Sequence, residues 1–435
     1  MPKSQFFPEK LISENFLGQL NTLYARGYEP QLLLSPLGFE KKDGSWINRL
    51  GWGPENIKWI QENPESLSQT KEDALLLRDK SVVFCGMGGS GLSVELVKKT
   101  YGLENIYSLR TTDPSKIAEI LSEVGGGYSN LVVVAVSKSG TTKETISHLR
   151  FFEEFFTQKS LDPKDHIWLM TDPGSPLEKE ALDKGYELRY IQLNQRKDVG
   201  GRFTSPTTNV FLLPYFIGED DIDFQKILDL GTDEIFLRLA SFLYSHAREG
   251  RDKLTLIAPA ELGFLPNWAQ QLFEESLGKD GKGISVFFGE RLDETTIKPA
   301  DKNDRVFLRI NLGDSKPGEK LFPYLNQKGY PVFQLTLKNL HGLGGLLLGL
   351  QITVAAIGCL WSINFVGQPA VEGYKRATHQ IMQQIKGGDR INIPDNWRTK
   401  SIKFQSLTLY PTPLVEAGIL GGVDLAAGQA WEVYA

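Results

Sequence analysis

The 435-residue sequence predicts an α/β fold made of two successive parallel-sheet, three-layer sandwich domains. Short, continuously apolar segments alternate with longer amphipathic segments, which is typical of a parallel sheet covered by helices on both faces. This alternation occurs in the first half of the chain and again in the second half. A length of 435 residues also suits two or three domains of about 100–200 residues each.

The first α/β unit is predicted from a series of strand, turn and helix segments. Its predicted strands are Ser81–Cys85, Leu131–Val136, Asp165–Met170 and Glu187–Gln192, with a weaker one at Asn105–Leu109. Its predicted helices are Leu92–Tyr101, Thr142–Gln158 and Leu177–Lys184.

The second unit repeats the pattern. Its predicted strands are Lys253–Ala258, Gly283–Phe288, Arg305–Leu312 and Pro331–Leu337. Its clearest helix is Pro266–Leu277, with proline at the first helical position. An acidic loop near Gly218–Asp223 separates the units. The predicted divisions are an N-terminal cap (1–70) with helical patches Lys10–Arg26 and Ile57–Ser68, two α/β domains (71–220 and 221–395) and a short C-terminal extension (396–435).

Composition and charge exclude several classes of protein. The content of 41% hydrophobic and 23% charged residues is typical of globular chains. A net charge of −5 is not that of a general nucleic-acid binder. Cys85 and Cys359 lie in apolar runs, and the histidines show no metal-ligand spacing, so neither disulfides nor a metal site is predicted. The N-terminus lacks the apolar core of a signal peptide, which predicts a cytoplasmic protein.

One uncharged stretch, Leu343–Phe365, is long enough to cross a bilayer. A charged segment follows it closely (Glu372, Lys375 and Arg376), and a helix buried between two sheets has the same composition. We therefore interpret the stretch as a core helix and expect no membrane partner, with a membrane span as the alternative.

A glycine-rich turn, Gly86–Gly91 (GMGGSG), directly follows the first strand and precedes a helix. Glycines let the backbone approach an anion, and a helix N-terminus offers free N–H groups. The spelling also fits G-x-G-x-x-G, with Asp113 roughly 20 residues further on, so a dinucleotide loop is a second interpretation. A tight turn without a ligand is the third.

A hydroxyl-rich turn, Ser137–Thr145 (SKSGTTKET), follows a later strand and opens a helix. Its first half carries Lys138 and four hydroxyl residues, Ser137, Ser139, Thr141 and Thr142. A capping box needs one hydroxyl, whereas four hydroxyls with backbone amides suit a phosphate group. Both turns follow parallel strands, so their shared crevice is predicted to bind a small phosphorylated molecule.

Two further segments carry candidate catalytic groups. In Asp198–Thr204 (DVGGRFT), a Gly-Gly turn presents Arg202, which suits stabilisation of an oxyanion. In Glu274–Gly283 (EESLGKDGKG), Glu275 falls in the last turn of a helix, where the helix dipole disfavours a carboxylate, as suits a general base. An ordinary surface turn and a solvated helix end are the alternatives.

Taken in order, five segments resemble motifs of glucose-6-phosphate isomerases: GMGGSG, SKSGTTKET, DVGGRFT, ESLGKDGKG and NFVGQPAVEGYK (Asn364–Lys375). The resemblance covers about residues 55–385. It implies two sugar-isomerase domains that interconvert glucose 6-phosphate and fructose 6-phosphate without a metal or organic cofactor. It also implies a sugar phosphate as the partner and a homodimer.

The resemblance also implies residue roles. Glu275 would move a proton between C1 and C2, Arg202 would stabilise the enediolate, and Lys375 would contact the substrate at the catalytic centre. The implied substrate-binding residues are Gly89, Ser90, Ser137, Lys138, Ser139, Thr141, Thr142 and Gln368.

The sequence departs from the family pattern at three points. No histidine lies between Glu275 and His341, where the family's ring-opening histidine is expected, and we interpret His341 as a capping or core residue. Gly367 stands where the family usually has aspartate, which removes a polar group near Lys375, and Thr204 stands where it usually has serine.

Two alternative functions follow from these departures. The change at Gly367 suggests a relaxed isomerase that also accepts mannose 6-phosphate. The missing histidine suggests a non-catalytic sugar-phosphate sensor, although the presence of Glu275, Arg202 and Lys375 together opposes it.

Overall fold

The computed structural model describes residues 16–26, 35–42, 44–292, 297, 304–368, 373, 402–404 and 407–409. Met1–Gly367 form one compact unit and Gln368–Ala435 form a second. The domain boundaries predicted from the sequence stay predictions.

The strands are numbered in chain order. They are β1 (Phe39–Lys42), β2 (Ser45–Asn48), β3 (Ser81–Gly86), β4 (Ile106–Leu109), β5 (Leu131–Ser137), β6 (Ile167–Thr171), β7 (Glu187–Tyr190), β8 (Lys253–Ile257), β9 (Ser285–Phe287), β10 (Arg305–Leu312), β11 (Val332–Leu337), β12 (Ile402–Phe404) and β13 (Leu407–Leu409).

The α-helices are numbered in the same way. They are α1 (Phe16–Arg26), α2 (Ser35–Gly38), α3 (Pro54–Glu62), α4 (Ser68–Leu77), α5 (Gly89–Tyr101), α6 (Pro114–Val124), α7 (Lys143–Gln158), α8 (Pro176–Lys184), α9 (Asn209–Gly218), α10 (Phe224–Gly231), α11 (Glu234–Arg248), α12 (Leu265–Leu277), α13 (Leu321–Gln327) and α14 (Leu343–Trp361).

Two parallel sheets organise the first unit of the structure, which confirms the predicted fold class. The first sheet has the order β4-β3-β5-β6-β7, and the second has the order β11-β10-β8-β9. Every residue of β5 is buried, as its uninterrupted apolar sequence predicts. Helix α7 is amphipathic and buries one face, including Leu149, Phe152 and Phe156, beside this sheet.

The predicted strands agree with the observed ones to within about three residues at their ends, and the weak strand at residues 105–109 is the fully buried edge strand β4. Helix α5 begins at Gly89 rather than at Leu92, which places Ser90 in its first turn. Asp113 caps α6 by accepting a hydrogen bond from the amide of Ser115 at 2.9 Å.

The helical patches predicted in the N-terminal part are shifted. The first is α1, which begins at Phe16, and residues 10–15 of that prediction lie outside the described residues. The patch predicted at Ile57–Ser68 is instead α3, a short 3₁₀ turn and the start of α4.

The apolar stretch near the end of the first unit forms the central helix α14. It is long and apolar enough to cross a membrane, yet 89% of its most apolar window is buried inside the protein. It packs against α10, α11 and α12. Two of its polar residues make hydrogen bonds inside the protein: Thr353 donates to the carbonyl of Phe236 at 3.0 Å, and Gln351 donates to the carbonyl of Ser205 at 2.5 Å. This environment agrees with the interpretation as a core helix.

Three side chains test smaller expectations. Cys85 is buried and Cys359 is half-buried, both are free thiols, and burial raises the pKa of Cys359 to about 11. His341 lies exposed in the 3₁₀ turn before α14. The interpretation of His341 as a core residue was therefore wrong, because a turn at the protein surface places its side chain in solvent.

Glycine at position 349 is needed for the close packing of α14. A Cβ atom there would lie 2.2 Å from the ring of Phe236, which is itself buried. We expect Gly349→Ala to lower the free energy of unfolding by about 1–3 kcal/mol through overpacking. Urea unfolding followed by circular dichroism measures this change.

Gly18→Ala is the matched control. Gly18 lies in α1, and nothing lies within 4 Å of the point that a Cβ atom would occupy, so alanine should raise the stability by about 0.5–1 kcal/mol. A Gly349→Ala protein as stable as the unsubstituted protein would contradict the packing described for α14.

Candidate active site

The candidate site lies where the strand order of the first sheet reverses. The chain runs from β3 to β4 on one side and then crosses to β5 on the other side of β3. In open parallel sheets, ligands bind at the carboxyl ends of the strands at such a switch point. The glycine-rich turn follows β3 and the hydroxyl-rich turn follows β5, so both sequence-predicted turns lie at this point.

The glycine-rich turn packs against the segment that carries Arg202. Gly88 has a positive φ of 56°, and a Cβ atom at Gly89 would lie 2.0 Å from the carbonyl oxygen of Gly201 and 2.9 Å from the Cα of Arg202. A side chain at position 89 is therefore excluded by backbone contact. The glycines serve here to bring two pieces of backbone together, which the sequence did not reveal.

Arg202 is the most highly coordinated group of the site. It lies in the 3₁₀ turn Gly201–Phe203 and is only 3% exposed. Its Nε donates to Ser276 Oγ at 2.7 Å, and its Nη1 donates to Glu275 Oε1 at 3.0 Å. Its Nη2 donates to the carbonyls of Phe365 (2.6 Å) and Gly367 (3.2 Å). Burial lowers the pKa of Arg202, and the charge of Glu275 opposes that shift.

These contacts fix the guanidinium in one orientation. They use four of its five N–H groups. The fifth N–H has no hydrogen-bond partner among the described residues. It is on Nη1, the nitrogen that also donates to Glu275.

Glu275 lies in the last turn of α12 and its side chain is 21% exposed. Its second oxygen, Oε2, accepts a hydrogen bond from Gln271 Nε2 at 3.0 Å. The side-chain amide of Gln271 also lies beside the glycine-rich turn, since a Cβ atom at Gly88 would lie 2.9 Å from its nitrogen. Both carboxylate oxygens are thus held while part of the group reaches solvent, as a base that meets a ligand requires.

Lys279 caps the C-terminal end of α12 with its side chain. Its ammonium donates to the carbonyl of Glu275 at 2.8 Å and to the carbonyl of Ser276 at 2.6 Å. These carbonyls belong to the last helical turn, whose backbone acceptors lack partners within the helix. Burial and the neighbouring charge of Arg202 lower the pKa of Lys279 to about 7.

The hydroxyl-rich turn forms two hydroxyl pairs. Ser137, which is buried, donates to Thr142 Oγ1 at 2.9 Å, and the exposed Ser139 and Thr141 pair through their hydroxyls at 2.8 Å. Thr142 is the N-cap of α7, yet its side chain makes no capping hydrogen bond. The capping-box alternative was therefore wrong, and the helix N-terminus keeps its potential for an anion.

Lys138 lies among other charges next to this turn. Its charged neighbours are Arg49, Asp172, Glu40 and Asp198. Burial and the charge of Arg49 lower the pKa of Lys138 to about 8. Asp172 follows β6, and burial raises its pKa to about 6 against the effect of Lys138. The positive charges of Lys138 and Arg49 are therefore partly balanced by three carboxylates, those of Asp172, Asp198 and Glu40, and Glu40 forms a salt bridge with Arg49 at 2.9 Å.

The structure shows the contacts of two residues that depart from the family pattern, Thr204 and Gly367. Thr204 is buried, donates to the carbonyl of Gly201 at 3.0 Å and contacts Ser93 Oγ at 3.1 Å. Gly367 contributes its carbonyl to Arg202, and its amide donates to Asn364 Oδ1 at 2.6 Å.

The structure brings Arg202, Glu275 and Gly89 into one site, with Ser90 adjacent in the first turn of α5. Gln368 belongs to the second compact unit, and Lys375 lies outside the described residues. Within the described part of the chain, no three His, Cys, Asp or Glu side chains form a group that could hold a metal.

Sequence reasoning missed three residues of the site: Gln271, Ser276 and Lys279. Gln271 and Lys279 are four residues before and four residues after Glu275. Residues four apart are neighbours on a helix surface, so this spacing could have indicated both. The partner of Ser276, 74 residues away, leaves no such signal.

Curated glucose-6-phosphate isomerases are similar to this chain over most of its length. A probable glucose-6-phosphate isomerase from Natronomonas pharaonis is 27% identical over 354 residues, covering 71% of this chain and 80% of that protein. The glucose-6-phosphate isomerase of Methanocaldococcus jannaschii is 27% identical over 70% of this chain and 85% of that protein. The chain is thus similar, over about 70% of its length, to curated glucose-6-phosphate isomerases that are 25–27% identical to it.

A solved glucose-6-phosphate isomerase has the same fold. The crystal structure of the glucose-6-phosphate isomerase from Chlamydia trachomatis matches with a TM-score of 0.67 and 17% identity over 87% of both chains. No family model matches the chain. The resemblance inferred from the five motifs is confirmed, and the roles of individual site residues stay predictions.

The lowered pKa of Lys279 predicts how stability depends on pH. Lysine in an unfolded chain titrates near 10.4, so between pH 7 and 10 the unfolded isomerase binds more protons at this group than the folded one. The free energy of unfolding should therefore rise with pH, by up to about 1 kcal/mol per pH unit from this group. Lys279→Gln should remove that contribution.

Urea unfolding at pH 7, 8 and 9 measures the slopes of both proteins. Lys282→Gln is the control, because Lys282 is exposed and its ammonium donates to the carbonyl of Trp361 at 2.8 Å. It should follow the unsubstituted protein. Equal slopes for the unsubstituted and Lys279→Gln proteins would show that Lys279 keeps its ordinary pKa.

Proposed function

We propose that this isomerase interconverts glucose 6-phosphate and fructose 6-phosphate by proton transfer through an enediolate. The observation that carries the proposal is the 3.0 Å contact between Arg202 Nη1 and Glu275 Oε1, made beside the glycine-rich turn at the switch point of the first sheet. A carboxylate base and a fixed cation at one ligand crevice are the groups that an aldose–ketose isomerisation needs. The names of the relatives support the same substrates.

The phosphate group would bind at the hydroxyl-rich turn. The exposed hydroxyls of Ser139 and Thr141, the uncapped start of α7 and the ammonium of Lys138 provide donors and positive potential. Ser137 and Thr142 hold the turn through their own hydrogen bond. Because the phosphate is remote from C1 and C2, its binding energy would serve to position the reacting carbons.

Glu275 would act as the base at those carbons. Its carboxylate would remove the proton from C2 of the open-chain aldose and return it to C1, and the reverse in the other direction. The contacts with Arg202 and Gln271 hold the carboxylate in place, so little reorganisation is needed when the proton moves.

Arg202 would stabilise the negative charge that develops on the enediolate oxygen. Its guanidinium is already oriented by Ser276 and by two backbone carbonyls, and one N–H on Nη1 is left beside Glu275. A donor that is fixed before the reaction stabilises a developing oxyanion more than a mobile one does.

Two alternative functions can be distinguished by activity and binding measurements with sugar phosphates. Gly367 presents only backbone groups where the family usually has a carboxylate, which favours a wider substrate range, and consumption of mannose 6-phosphate would support it. Tight binding of a sugar phosphate without conversion would support a sensor instead. A homodimer, implied by the family resemblance, and a cytoplasmic location, inferred from the N-terminal sequence, stay predictions.

The first prediction from this proposal concerns the base. Glu275→Gln should lower kcat for fructose 6-phosphate isomerisation by about 10²–10⁴-fold, because an amide cannot accept the proton. An assay coupled to NADPH formation by glucose-6-phosphate dehydrogenase measures the rate. Glu274→Gln is the control: Glu274 is the adjacent helical residue and accepts from the amide of Val286 at 2.9 Å, a role that glutamine can keep. If Glu275→Gln were as active as Glu274→Gln and the unsubstituted protein, Glu275 would not be the base.

The second prediction concerns the phosphate. The double variant Ser139→Ala with Thr141→Val should raise KM by about 10–100-fold with a smaller effect on kcat, since hydrogen bonds to a charged group are lost. Ser147→Ala, on the exposed side of α7 with its hydroxyl bonded to the carbonyl of Lys143, should leave both constants unchanged. An unchanged KM in the double variant would place phosphate binding elsewhere.

A further inference from the structure

The second sheet has a switch point of its own. The chain runs from β8 to the adjacent β9 and then crosses to β10 on the other side of β8, so the strand order reverses between β8 and β10. Parallel α/β sheets bind ligands at the carboxyl ends of their strands at such a point. The corresponding point of the first sheet carries the hydroxyl-rich turn, whereas no role has been assigned to this one.

A buried, unpaired arginine lies at this second switch point. Arg309 of β10 is in register with Ile257, the last residue of β8, and it is 6% exposed. Within the part of the chain that the structure describes, nothing accepts a hydrogen bond from its Nε or Nη2. Its Cζ lies 4.5 Å from the ring centroid of Phe322, which covers one side of the guanidinium. A buried charge without an ionic partner is strongly disfavoured, so this group calls for an anion.

The groups around Arg309 support the same conclusion. Asn311, two residues further along the same face of β10, is 7% exposed, and its Oδ1 is unpartnered among the described residues while its Nδ2 donates to Thr336 at 3.2 Å. The carboxylate whose charge acts on Arg309 is that of the exposed Glu319. Burial lowers the pKa of Arg309, and Glu319 opposes this shift.

A cavity of about 410 Å³ lies at the same edge of the sheet, beside the end of β8, the strand that pairs with β10. Its wall includes Ile257, the register partner of Arg309, and Gly318, where a Cβ atom would lie 3.2 Å from the ring of Phe322. Most of the remaining wall is apolar and includes Leu256, Pro266, Phe288 and Leu321.

The one acidic residue among the described lining residues is already neutralised. The carboxylate of Glu290 accepts from Arg305 Nη2 at 2.8 Å, and Arg305 Nη1 also donates to Thr255 at 3.0 Å. An acidic ligand in the cavity would therefore meet a paired carboxylate on the wall, and the unpaired guanidinium of Arg309 lies on the neighbouring strand, opposite the lining residue Ile257.

We propose that the carboxyl edge of the second sheet is a second binding site, for a small organic anion whose acidic group pairs with Arg309 and whose apolar part occupies the cavity. A planar guanidinium binds carboxylate and phosphate groups alike through two parallel hydrogen bonds. The apolar wall favours a compact hydrocarbon or aromatic body over a bare inorganic ion. This site is separate from the one that contains Glu275 and does not depend on its activity.

Isothermal titration calorimetry with benzoate and phenyl phosphate tests the proposal. Arg309→Met should weaken binding of benzoate at least about tenfold, because the ion pair is lost. Arg238→Met is the matched control, since Arg238 is an exposed arginine of α11 paired with Glu234.

Phenyl phosphate distinguishes this site from the hydroxyl-rich turn. Its binding at Arg309 should persist in the double variant Ser139→Ala with Thr141→Val. Equal benzoate affinity of the Arg309→Met and unsubstituted proteins, or no binding to the unsubstituted protein, would overturn the proposal.

Stability measurements distinguish a binding residue from a structural one. Without ligand, Arg309→Met should melt no lower than the unsubstituted protein, because methionine leaves no charge unpaired. Glu319→Gln should bind benzoate more tightly, since it removes the competing carboxylate. If Glu319 were instead the structural partner of Arg309, Glu319→Gln would lower the melting temperature and leave the affinity unchanged, which would also overturn the proposal.

Discussion

The arrangement of the candidate active site depends on the burial of one cation. The guanidinium of Arg202 is almost fully removed from water, so its charge and donors must be satisfied by the protein. It takes a carboxylate and a hydroxyl from the end of α12 and two carbonyls from the segment at residues 365–367. Three parts of the sequence are thus held at fixed distances by one side chain, and loss of any partner would leave the charge less well compensated.

The end of helix α12 shows the second consequence of this burial. A helix C-terminus carries partial negative charge, and here it also carries the carboxylate of Glu275. Two cations, Arg202 and Lys279, counter that negative charge from the side chain and from the backbone. Their mutual repulsion contributes to the lowered pKa of Lys279, so protonation of this lysine is sensitive to changes near neutral pH. A carboxylate base in a helix end thereby depends on neighbours that the helix itself does not provide.

The parallel strands could be predicted because each is a short, continuously apolar segment, as in the fully buried β5. Helix α9 gave no such signal: it is apolar on all sides and contains Pro214, so it lacks a helical period. Glu275 and Arg202 were identified from their motifs. Their contact was not derivable from residue spacing, since they lie 73 residues apart and meet only through the packing of α12 against the turn of Arg202. The glycines were assigned to an anion, whereas at Gly89 the group that excludes a side chain is the backbone of Gly201.

The switch points of the two sheets have the same strand arrangement but carry different side chains. At both switch points, the connections that follow two adjacent parallel strands run toward opposite edges of the sheet, which is where such sheets bind ligands. In the first sheet the crevice is lined by short hydroxyl residues and a helix N-terminus, which offer several weak donors to a compact anion. In the second sheet, a buried guanidinium on β10 and a mostly apolar cavity beside β8 lie at this edge. A repeated fold therefore fixes where ligands can bind, while the residues that follow each strand determine which ligands those are.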